Sequence, residues 1–355
     1  MLLDKIILIS FPLILLVNFF LLKNYHLLFL KKTKDIEFYK PQAFHLKPIP
    51  RIGGFLVFTF LTTFLIIFYE KNLFFYQIIF LGIFFFLLGF LSDLNINTKP
   101  EFRLFLMLTV SFFLIYFLDI KILNIQFSVL DNLINSNKII SSVFVCLCFL
   151  FIINGCNFID GFNGLLIIHS IIILGILYLI NFQTLNVDYI KYFILFSIIV
   201  CFSVLFFNFP KAKIFLGDGG AYFLGSTISL IVIELSNLNK TISPFFFACI
   251  LFYIFFEVFF SFFRKIFFLR SSPLKPDKNH LHILFFKFIF SKLKKIEKSN
   301  YLTGLLVNFF YSFLIFPLLF FYKNNIFCKI YFLILIMIYL LSYFYLNKNN
   351  DFAKT

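Results

Sequence analysis

The chain has 355 residues, of which 62% are hydrophobic and 13% charged, and its formal net charge is +15. Its mean hydropathy of +1.00 corresponds to more apolar surface than a water-soluble globule can bury, so a soluble globular protein is excluded. The composition predicts an all-α integral membrane protein, with residues 1–355 in one polytopic domain. We expect the lipid bilayer as its surroundings and no nucleic-acid partner.

A membrane-spanning helix needs about 20 predominantly apolar residues. In chain order this criterion predicts eleven spans, at 2–22, 52–69, 73–91, 104–118, 139–154, 163–181, 189–207, 219–236, 244–263, 303–322 and 326–346. We interpret the first span as an uncleaved helix, because no small-residue cleavage site follows it. An odd number of spans places the two termini on opposite sides of the membrane.

Lysine and arginine are unevenly divided between the two sides, with 23 of the 31 on one of them. Cytoplasmic loops carry the excess of positive charge, so this side is predicted to be cytoplasmic. The N-terminus is then periplasmic and the C-terminus cytoplasmic. The motif-bearing cytoplasmic loops are expected at 23–51, 92–103, 154–163, 208–218 and 264–302.

The polar clusters concentrate on the predicted cytoplasmic face. Asp93, Asp160, Asp218, His280 and His282 all fall there, whereas the outer connections read as plain linkers. A transporter is expected to bury ionisable groups near the bilayer midplane instead. The pattern favours a site where a water-soluble substrate meets a lipid head group.

The residue types in these loops suit phosphate chemistry. Glycines such as Gly217 let backbone N–H groups approach phosphate oxygens, and the three aspartates are hard oxygen ligands for Mg²⁺. Lys47, Arg51, Arg103 and the two histidines can neutralise phosphate charge. Each feature alone also has an ordinary explanation: turn chemistry, membrane topology, a helix cap or a solvated histidine. Five clusters on one face favour metal-assisted phosphoryl transfer.

The same five loops resemble the motifs of the polyprenyl-phosphate N-acetylhexosamine-1-phosphate transferases. The matching segments are "HLKPIPRIGG" (45–54), "GFLSDLNINTKPEFRL" (89–104), "NGCNFIDGFNGL" (154–165), "FLGDGGAYFLG" (215–225) and "PDKNHLHIL" (276–284). Glu257 and Arg264 also fit the acidic residue and the arginine that precede the histidine loop in that family. The resemblance spans residues 45–287, and the combination is more specific than any one motif.

The resemblance implies a reaction at the bacterial inner membrane that initiates a lipid-linked cell-envelope polysaccharide. Undecaprenyl phosphate would attack the β-phosphorus of a UDP-N-acetylhexosamine and release UMP. Asp218 would bind Mg²⁺, and Asp93 would help to orient the metal or phosphate. Asn154, Asn157 and Asp160 would line the diphosphate site, with Asn163 near the uracil. The residues implied to hold phosphate oxygens are Lys47, Arg103, His280 and His282, beside Gly217 in the glycine loop.

Three positions depart from the family pattern. Ser92 stands where the family has the first of two adjacent aspartates, Ile283 replaces the second histidine of a pair, and Lys278 replaces an arginine. Arginine can bind phosphate through two parallel hydrogen bonds and lysine cannot. The histidine loop is closer to that of the branch that initiates O-antigen and other surface polysaccharides, within lipopolysaccharide and cell wall biogenesis. This favours a simple UDP-N-acetylhexosamine such as UDP-N-acetylglucosamine; homodimer formation is left open.

Residues 280–299 place phenylalanine and isoleucine on one side and lysine on the other, a pattern typical of a helix in the membrane interface. One hypothesis is that this helix frames the entrance for the isoprenoid carrier; a plain anchoring helix is the equal alternative. Two alternatives remain for the whole chain. They are a transporter of lipid-linked intermediates and a catalytically inactive family member, the latter because of Ser92.

Overall fold

The structure is a computed structural model that describes residues 2–25, 33–35, 48–68, 72–96, 99–273 and 278–352. Two short strands, β1 (Lys34–Asp35) and β2 (Ile49–Pro50), pair antiparallel with Lys34 opposite Pro50. All other regular structure in these residues is helical. The helices are α1 (Leu2–Asn24), α2 (Gly53–Ile67), α3 (Leu73–Asp93), α4 (Pro100–Phe117), α5 (Ser128–Ser136), α6 (Lys138–Ile159), α7 (Leu165–Gln183), α8 (Asp188–Asn208), α9 (Gly217–Leu238), α10 (Pro244–Ile250), α11 (Phe252–Phe263, continued by a π-helical turn Arg264–Phe268), α12 (Leu281–Leu293), α13 (Ile296–Ile315), α14 (Leu318–Phe321) and α15 (Asn325–Phe352).

A helix occupies each of the eleven segments predicted to span the membrane. Among the described residues, eight helical segments are long and apolar enough to cross a bilayer. The pair α10 and α11 forms a ninth candidate with a bend of 73° between its two parts, and α2 is a shorter apolar helix. The all-α membrane fold is therefore confirmed. The count of eleven crossings and the orientation of the termini stay predictions.

Helix ends follow the local sequence. Asn72 and Asn137 cap α3 and α6, each accepting a hydrogen bond from a backbone N–H in the first turn, and Ser243 does the same for α10. Pro100 and Pro244 stand in the first turn of their helices, where a missing N–H costs nothing. These residues separate apolar runs that would otherwise read as continuous.

Helix α9 is the centre of the bundle. It packs against α2, α3, α6 and α7, and 72% of the residues in its apolar stretch are buried. Close packing depends on glycine: a Cβ added to Gly54 would lie 2.2 Å from the backbone nitrogen of Gly220. Backbone contact between α2 and α9 brings the loops that precede both helices together at one end of the bundle.

Two elements differ from the sequence-based expectation. The predicted interfacial helix over 280–299 ends at Leu293, because Lys294 adopts a left-handed φ of 51° and α13 begins at Ile296. Residues 296–299 therefore belong to a candidate membrane span. The short helix α5 was not predicted; it presents Val129, 72% exposed, and Leu133, 49% exposed, on its surface.

Candidate active site

The first turn of α9 is held by a carboxylate from another helix. Asp93, the last residue of α3, is 1% exposed. Its Oδ1 accepts the N–H of Asp218 at 3.0 Å, and its Oδ2 accepts the N–H of Gly219 at 2.9 Å. Free N–H groups at a helix start carry partial positive charge, which a carboxylate stabilises. Asp93 thus fixes the position of Asp218 through its backbone.

Gly217 makes this contact sterically feasible. Its φ of +80° lies in the left-handed region that favours glycine. A Cβ at this position would lie 2.6 Å from Oδ1 of Asp93. The glycine motif at 217–220 is therefore required here by a close approach of backbone to carboxylate, in addition to any role in binding phosphate.

Arg103 joins α4 to the same point. Its Nη1 donates to Oδ2 of Asp218 at 3.1 Å and to Oγ of Ser92 at 3.1 Å. The guanidinium also lies 5.9 Å from the ring centroid of Tyr222. About a quarter of each side chain, 27% for Arg103 and 23% for Asp218, is exposed. This ion pair is the part of the cluster that an incoming charged ligand can reach.

Asp160 extends the cluster from the end of α6. Burial and the nearby Asp218 carboxylate raise the pKa of its carboxyl, while Arg51 and a hydrogen bond from the backbone of Gly217 act in the opposite direction. Arg51 also approaches Oδ1 of Asp93, at 3.9 Å. Five charged side chains, each from a different helix or helix end, therefore lie around the start of α9.

The oxygen ligands in this cluster suit a magnesium ion whose coordination shell is completed by a substrate. The charge of Asp218 acts on Asp160, and two neighbouring carboxylates are stabilised by a divalent cation between or beside them. Among the described residues, no three His, Cys, Asp or Glu side chains form a ready metal cluster. Magnesium commonly binds one or two carboxylates plus substrate phosphates, which agrees with this arrangement. Both oxygens of Asp93 already accept backbone hydrogen bonds; its role as a metal ligand stays a prediction.

The three asparagines of the 154–164 segment have separate local partners. Asn154 donates back to the carbonyl of Leu150 within α6 at 2.8 Å, and Asn157 donates to the hydroxyl of Tyr222 at 3.4 Å. Asn163 donates to the carbonyl of Pro210 at 2.9 Å. Asn157 therefore lies next to the charged cluster, whereas Asn154 and Asn163 bond to backbone carbonyls. Their predicted roles toward a nucleotide stay predictions.

The two histidines form a second cluster with Glu257 of α11. Nδ1 of His280 donates to Oε2 of Glu257 at 3.0 Å, and the N–H of Leu281 donates to Oε1 at 3.1 Å. The two imidazole rings stack with centroids 5.4 Å apart. Because a carboxylate only accepts, the proton of His280 lies on Nδ1, which leaves Nε2 as its second ring nitrogen. Glu257 thereby orients the histidine loop and accepts the backbone N–H of the first residue of α12.

His282 is held more completely than His280. Its Nδ1 lies 3.3 Å from the hydroxyl of Tyr253 and 3.5 Å from Oε1 of Glu257. A further hydrogen bond joins the ring to the backbone of Phe158, in the segment that precedes Asp160. Burial lowers the pKa of His282, although the carboxylate of Glu257 opposes that effect. His282 thus ties the histidine loop to the end of α6.

Sequence reasoning missed two asparagines that hold the loops in place. Asn208 accepts the N–H of Gly164 at 2.6 Å and donates to the carbonyl of Ile214 at 2.9 Å. Asn300 accepts the N–H of Asn163 at 2.8 Å. The available signal was an amide at the end of an oily helix, which is costly unless it is hydrogen-bonded. Lys47, predicted to bind phosphate, lies outside the described residues.

The sequence model described as glycosyl transferase family 4 matches residues 74–236. This range contains Asp93, Arg103, Asp160 and Asp218, the members of the charged cluster apart from Arg51. Over these residues the chain is similar to glycosyl transferase family 4. It is thereby an enzyme of the transferase class. The histidine loop lies beyond the matched range, and the hydrogen bond of His282 to the backbone of Phe158 connects it to that range.

Three curated relatives agree with this similarity. One, from Thermotoga maritima, is named undecaprenyl-phosphate alpha-N-acetylglucosaminyl 1-phosphate transferase; it is 29% identical over 72% of this chain and 75% of its own length. Another, from Bacillus subtilis, is named probable undecaprenyl-phosphate N-acetylglucosaminyl 1-phosphate transferase. It is 35% identical over 37% of this chain and 36% of its own length. A phospho-N-acetylmuramoyl-pentapeptide-transferase from Dictyoglomus turgidum is 29% identical over 43% of this chain and 49% of its own length. The chain therefore spans less than half the length of the last two.

Proposed function

We propose that this protein transfers an N-acetylhexosamine 1-phosphate group from a UDP-sugar to undecaprenyl phosphate. The observation that carries the proposal is the meeting of Asp93, Arg103, Asp160 and Asp218 at the start of α9. Carboxylates that suit Mg²⁺ and a partly exposed guanidinium are parts that phosphoryl transfer requires. The names of the curated relatives add the acceptor and the class of sugar.

In the proposed reaction, an oxygen of the lipid phosphate forms a bond to the β-phosphorus of the UDP-sugar. The bond from the β-phosphorus to the bridging oxygen breaks, and UMP leaves with that oxygen. The products are a lipid-linked sugar diphosphate and UMP. The lipid phosphate is already anionic at neutral pH, so the attacking group is supplied by the substrate.

Four residues of the charged cluster and one histidine have a part in this proposal. Asp218 and the neighbouring Asp160 would hold Mg²⁺, which supplies positive charge to the transferred phosphoryl group. Arg103, partly exposed, neutralises phosphate oxygens beside them. Asp93 keeps Asp218 in place through the backbone of α9. His280, oriented by Glu257, presents Nε2 toward the second anionic substrate.

The direct test uses purified protein with Mg²⁺, undecaprenyl phosphate and a set of UDP-N-acetylhexosamines labelled in the sugar. We expect lipid-soluble label and UMP in equal amounts with one of these donors, and neither product when Mg²⁺ is chelated. Asp218→Asn should abolish both products. Nucleotide binding without transfer from any donor would favour the inactive family member instead. We place the product in cell-envelope polysaccharide synthesis of the O-antigen type, with UDP-N-acetylglucosamine as the first donor to test.

A further inference from the structure

One face of α13 is polar along most of its length. Asn300, Gly304, Asn308 and Tyr311 follow a spacing of four, four and three residues, which places them on the same side of the helix. All four are buried, whereas Phe313 on the opposite side is 73% exposed. Polar side chains inside a candidate membrane span are costly unless they bind neighbouring elements. We call these four residues the polar face of α13.

The first two residues of the polar face hold the segment that carries Asp160. Asn300 accepts the N–H of Asn163 at 2.8 Å. A Cβ added to Gly304 would lie 2.5 Å from the carbonyl oxygen of Asn163, so α13 approaches this backbone as closely as a glycine allows. The 154–164 segment is therefore packed directly against α13.

Asn308 joins α13 to the start of α7 and to a buried histidine. Its amide nitrogen donates to the carbonyls of Leu165 and Gly304, at 3.0 and 2.9 Å. Its Oδ1 lies 3.0 Å from Nδ1 of His169, a fully buried residue of α7. Because the oxygen of an amide only accepts, the proton of His169 lies on Nδ1. His169 has no part in the proposed transfer itself.

Tyr311 reaches the break between α10 and α11. Helix α10 ends at Ile250, and the two helices meet with a bend of 73°. The last carbonyls of a helix lack an intrahelical partner, and inside a membrane they must be satisfied by other groups of the protein. The hydroxyl of Tyr311 donates to the carbonyl oxygen of Ile250 at 2.5 Å. Tyr311 thus stabilises the bend by supplying a donor to the backbone at the break.

The ring of His169 packs between Tyr311 and α11. Its centroid lies 4.1 Å from that of Tyr311 and 5.6 Å from that of Tyr253, the second residue of α11. Nδ1 is held by Asn308, so the ring cannot turn without losing that hydrogen bond. His169 thereby fixes where Tyr311 and the beginning of α11 lie against α7.

The direction of α11 decides where the histidine cluster lies. One turn after Tyr253, α11 carries Glu257, which accepts hydrogen bonds from His280 and from the N–H of Leu281. The hydroxyl of Tyr253 also lies 3.3 Å from Nδ1 of His282. A change of angle at the break would therefore move the histidine cluster relative to the 154–164 segment, which α13 holds separately.

We propose that Tyr311, supported by Asn308 and His169, is a positioning residue that sets the distance between the histidine cluster and the charged cluster. The proposal rests on the proposed function, in which these two clusters bind the two anionic substrates. Reacting groups that must meet in line tolerate little displacement, and a shift of about 1 Å can cost about a hundredfold in rate. The polar face of α13 suits this task because it contacts the 154–164 segment, α7 and the break before α11.

Tyr311→Phe tests the proposal, and Tyr331→Phe is its matched control. Tyr331 of α15 donates to the carbonyl of Leu314, also in α13, at 2.6 Å, so each variant loses one hydrogen bond from a tyrosine to backbone. We expect similar small decreases in melting temperature for both. The kcat should fall about tenfold in Tyr311→Phe only, and the KM for the UDP-sugar should stay within about twofold in both. Normal kinetics in Tyr311→Phe, or equal losses of kcat in the two variants, would overturn the proposal.

A double variant tests whether His169 acts through Tyr311. His169→Phe keeps an aromatic ring beside Tyr311 but leaves Oδ1 of Asn308 without its donor. We expect a lower kcat in His169→Phe, and a loss in the double variant with Tyr311→Phe that is smaller than the product of the two single losses. A loss equal to that product would show that the two residues act independently, which would contradict the support assigned to His169.

Hydrogen exchange followed by mass spectrometry tests the same coupling without turnover. The N–H of Leu281 is bonded to Glu257 and that of Asn163 to Asn300, so peptides that contain them report on the two sides separately. In Tyr311→Phe we expect exchange about fivefold faster over 249–255 and 278–284, and unchanged over 160–166. Tyr331→Phe should leave all three peptides unchanged.

Two exchange results would overturn the proposal: faster exchange over the whole bundle in Tyr311→Phe, or unchanged exchange in the histidine loop. The first would show a general loss of stability, and the second would show that the break does not control the loop. If the wild-type protein transfers no sugar but the selective pattern is found, the coupling between Tyr311 and the histidine cluster stands and the proposed function fails.

Discussion

The carboxylate of Asp93 accepts the backbone N–H groups of both Asp218 and Gly219, at 3.0 and 2.9 Å. Two residues from motifs more than a hundred positions apart are thus joined through backbone, and the orientation of one depends on the other. Asp93 acts on the proposed chemistry by placing Asp218. The consequences of this relationship can be measured.

Asp93→Asn should lower the rate of transfer by about a hundredfold, because a small displacement of Asp218 is costly in phosphoryl transfer. The amide offers one acceptor where two N–H groups need partners, so the variant should also lose about 1–3 kcal/mol of stability. Steady-state kinetics and thermal unfolding in detergent measure both effects. Asp119→Asn is the matched control, since Asp119 is 47% exposed and pairs with Lys121 and Lys138 on the surface. An Asp93→Asn enzyme with normal kinetics would refute the positioning role.

Gly217→Ala should damage the enzyme, because the new Cβ would meet Oδ1 of Asp93 at 2.6 Å with φ at +80°. We expect a loss of at least about 1 kcal/mol in stability together with lower activity. Gly175→Ala is its control: nothing lies within 4 Å of an added Cβ there, and the residue is inside α7. That variant should be neutral or slightly more stable, by about 0.5–1 kcal/mol, through helix propensity. Similar melting temperatures for the two variants would contradict this explanation.

Ser92→Asp should lower the Mg²⁺ concentration needed for half-maximal activity by about fivefold. Arg103 now donates to both Ser92 and Asp218. A carboxylate at position 92 would compete with Asp218 for the guanidinium, which leaves Asp218 available to the metal. It would also add negative charge at the site. Together these effects should strengthen Mg²⁺ binding by on the order of 1 kcal/mol. A Mg²⁺ titration of the transfer rate measures the shift, and Ser92→Ala, which adds no charge, should leave the midpoint unchanged. An unchanged midpoint in Ser92→Asp would show that the first carboxylate of the family motif is dispensable in this chain.

The stability of the protein should fall as the pH decreases below about 6.5, the ordinary pKa of histidine. Burial lowers the pKa of His282 in the folded protein, so the unfolded chain takes up a proton that the folded chain does not. This contribution is complete above the unfolded pKa and is lost as the pH falls toward the folded one. Melting temperatures of wild type and His282→Gln across this range check the sign. The difference between them should shrink at acidic pH; a difference that grows would contradict it.

The sequence was a good guide to the helices and to the residues of the charged cluster, and for physical reasons. Apolar runs of membrane length mark helices directly, and polar residues such as Asp160 stand out between them. Sequence could not show that Asp93 caps α9 or that His282 contacts Phe158, because these contacts depend on how distant helices pack. Asn208 and Asn300 were missed for the same reason, since each holds a loop without contributing to a motif. The end of the interfacial helix at Leu293 depended on the backbone of Lys294, a residue that carries no turn signal.

The proposed transfer is tested most directly by following the β-phosphorus of the donor. UDP-N-acetylglucosamine labelled with ³²P at the β-position is mixed with the protein, Mg²⁺ and undecaprenyl phosphate, and the lipid fraction is counted. Transfer of a sugar 1-phosphate moves the label into lipid with release of unlabelled UMP, and Asp218→Asn should leave the label in the aqueous phase. Label that stays in UDP while sugar enters the lipid would contradict the proposed reaction, and so would full activity in Asp218→Asn.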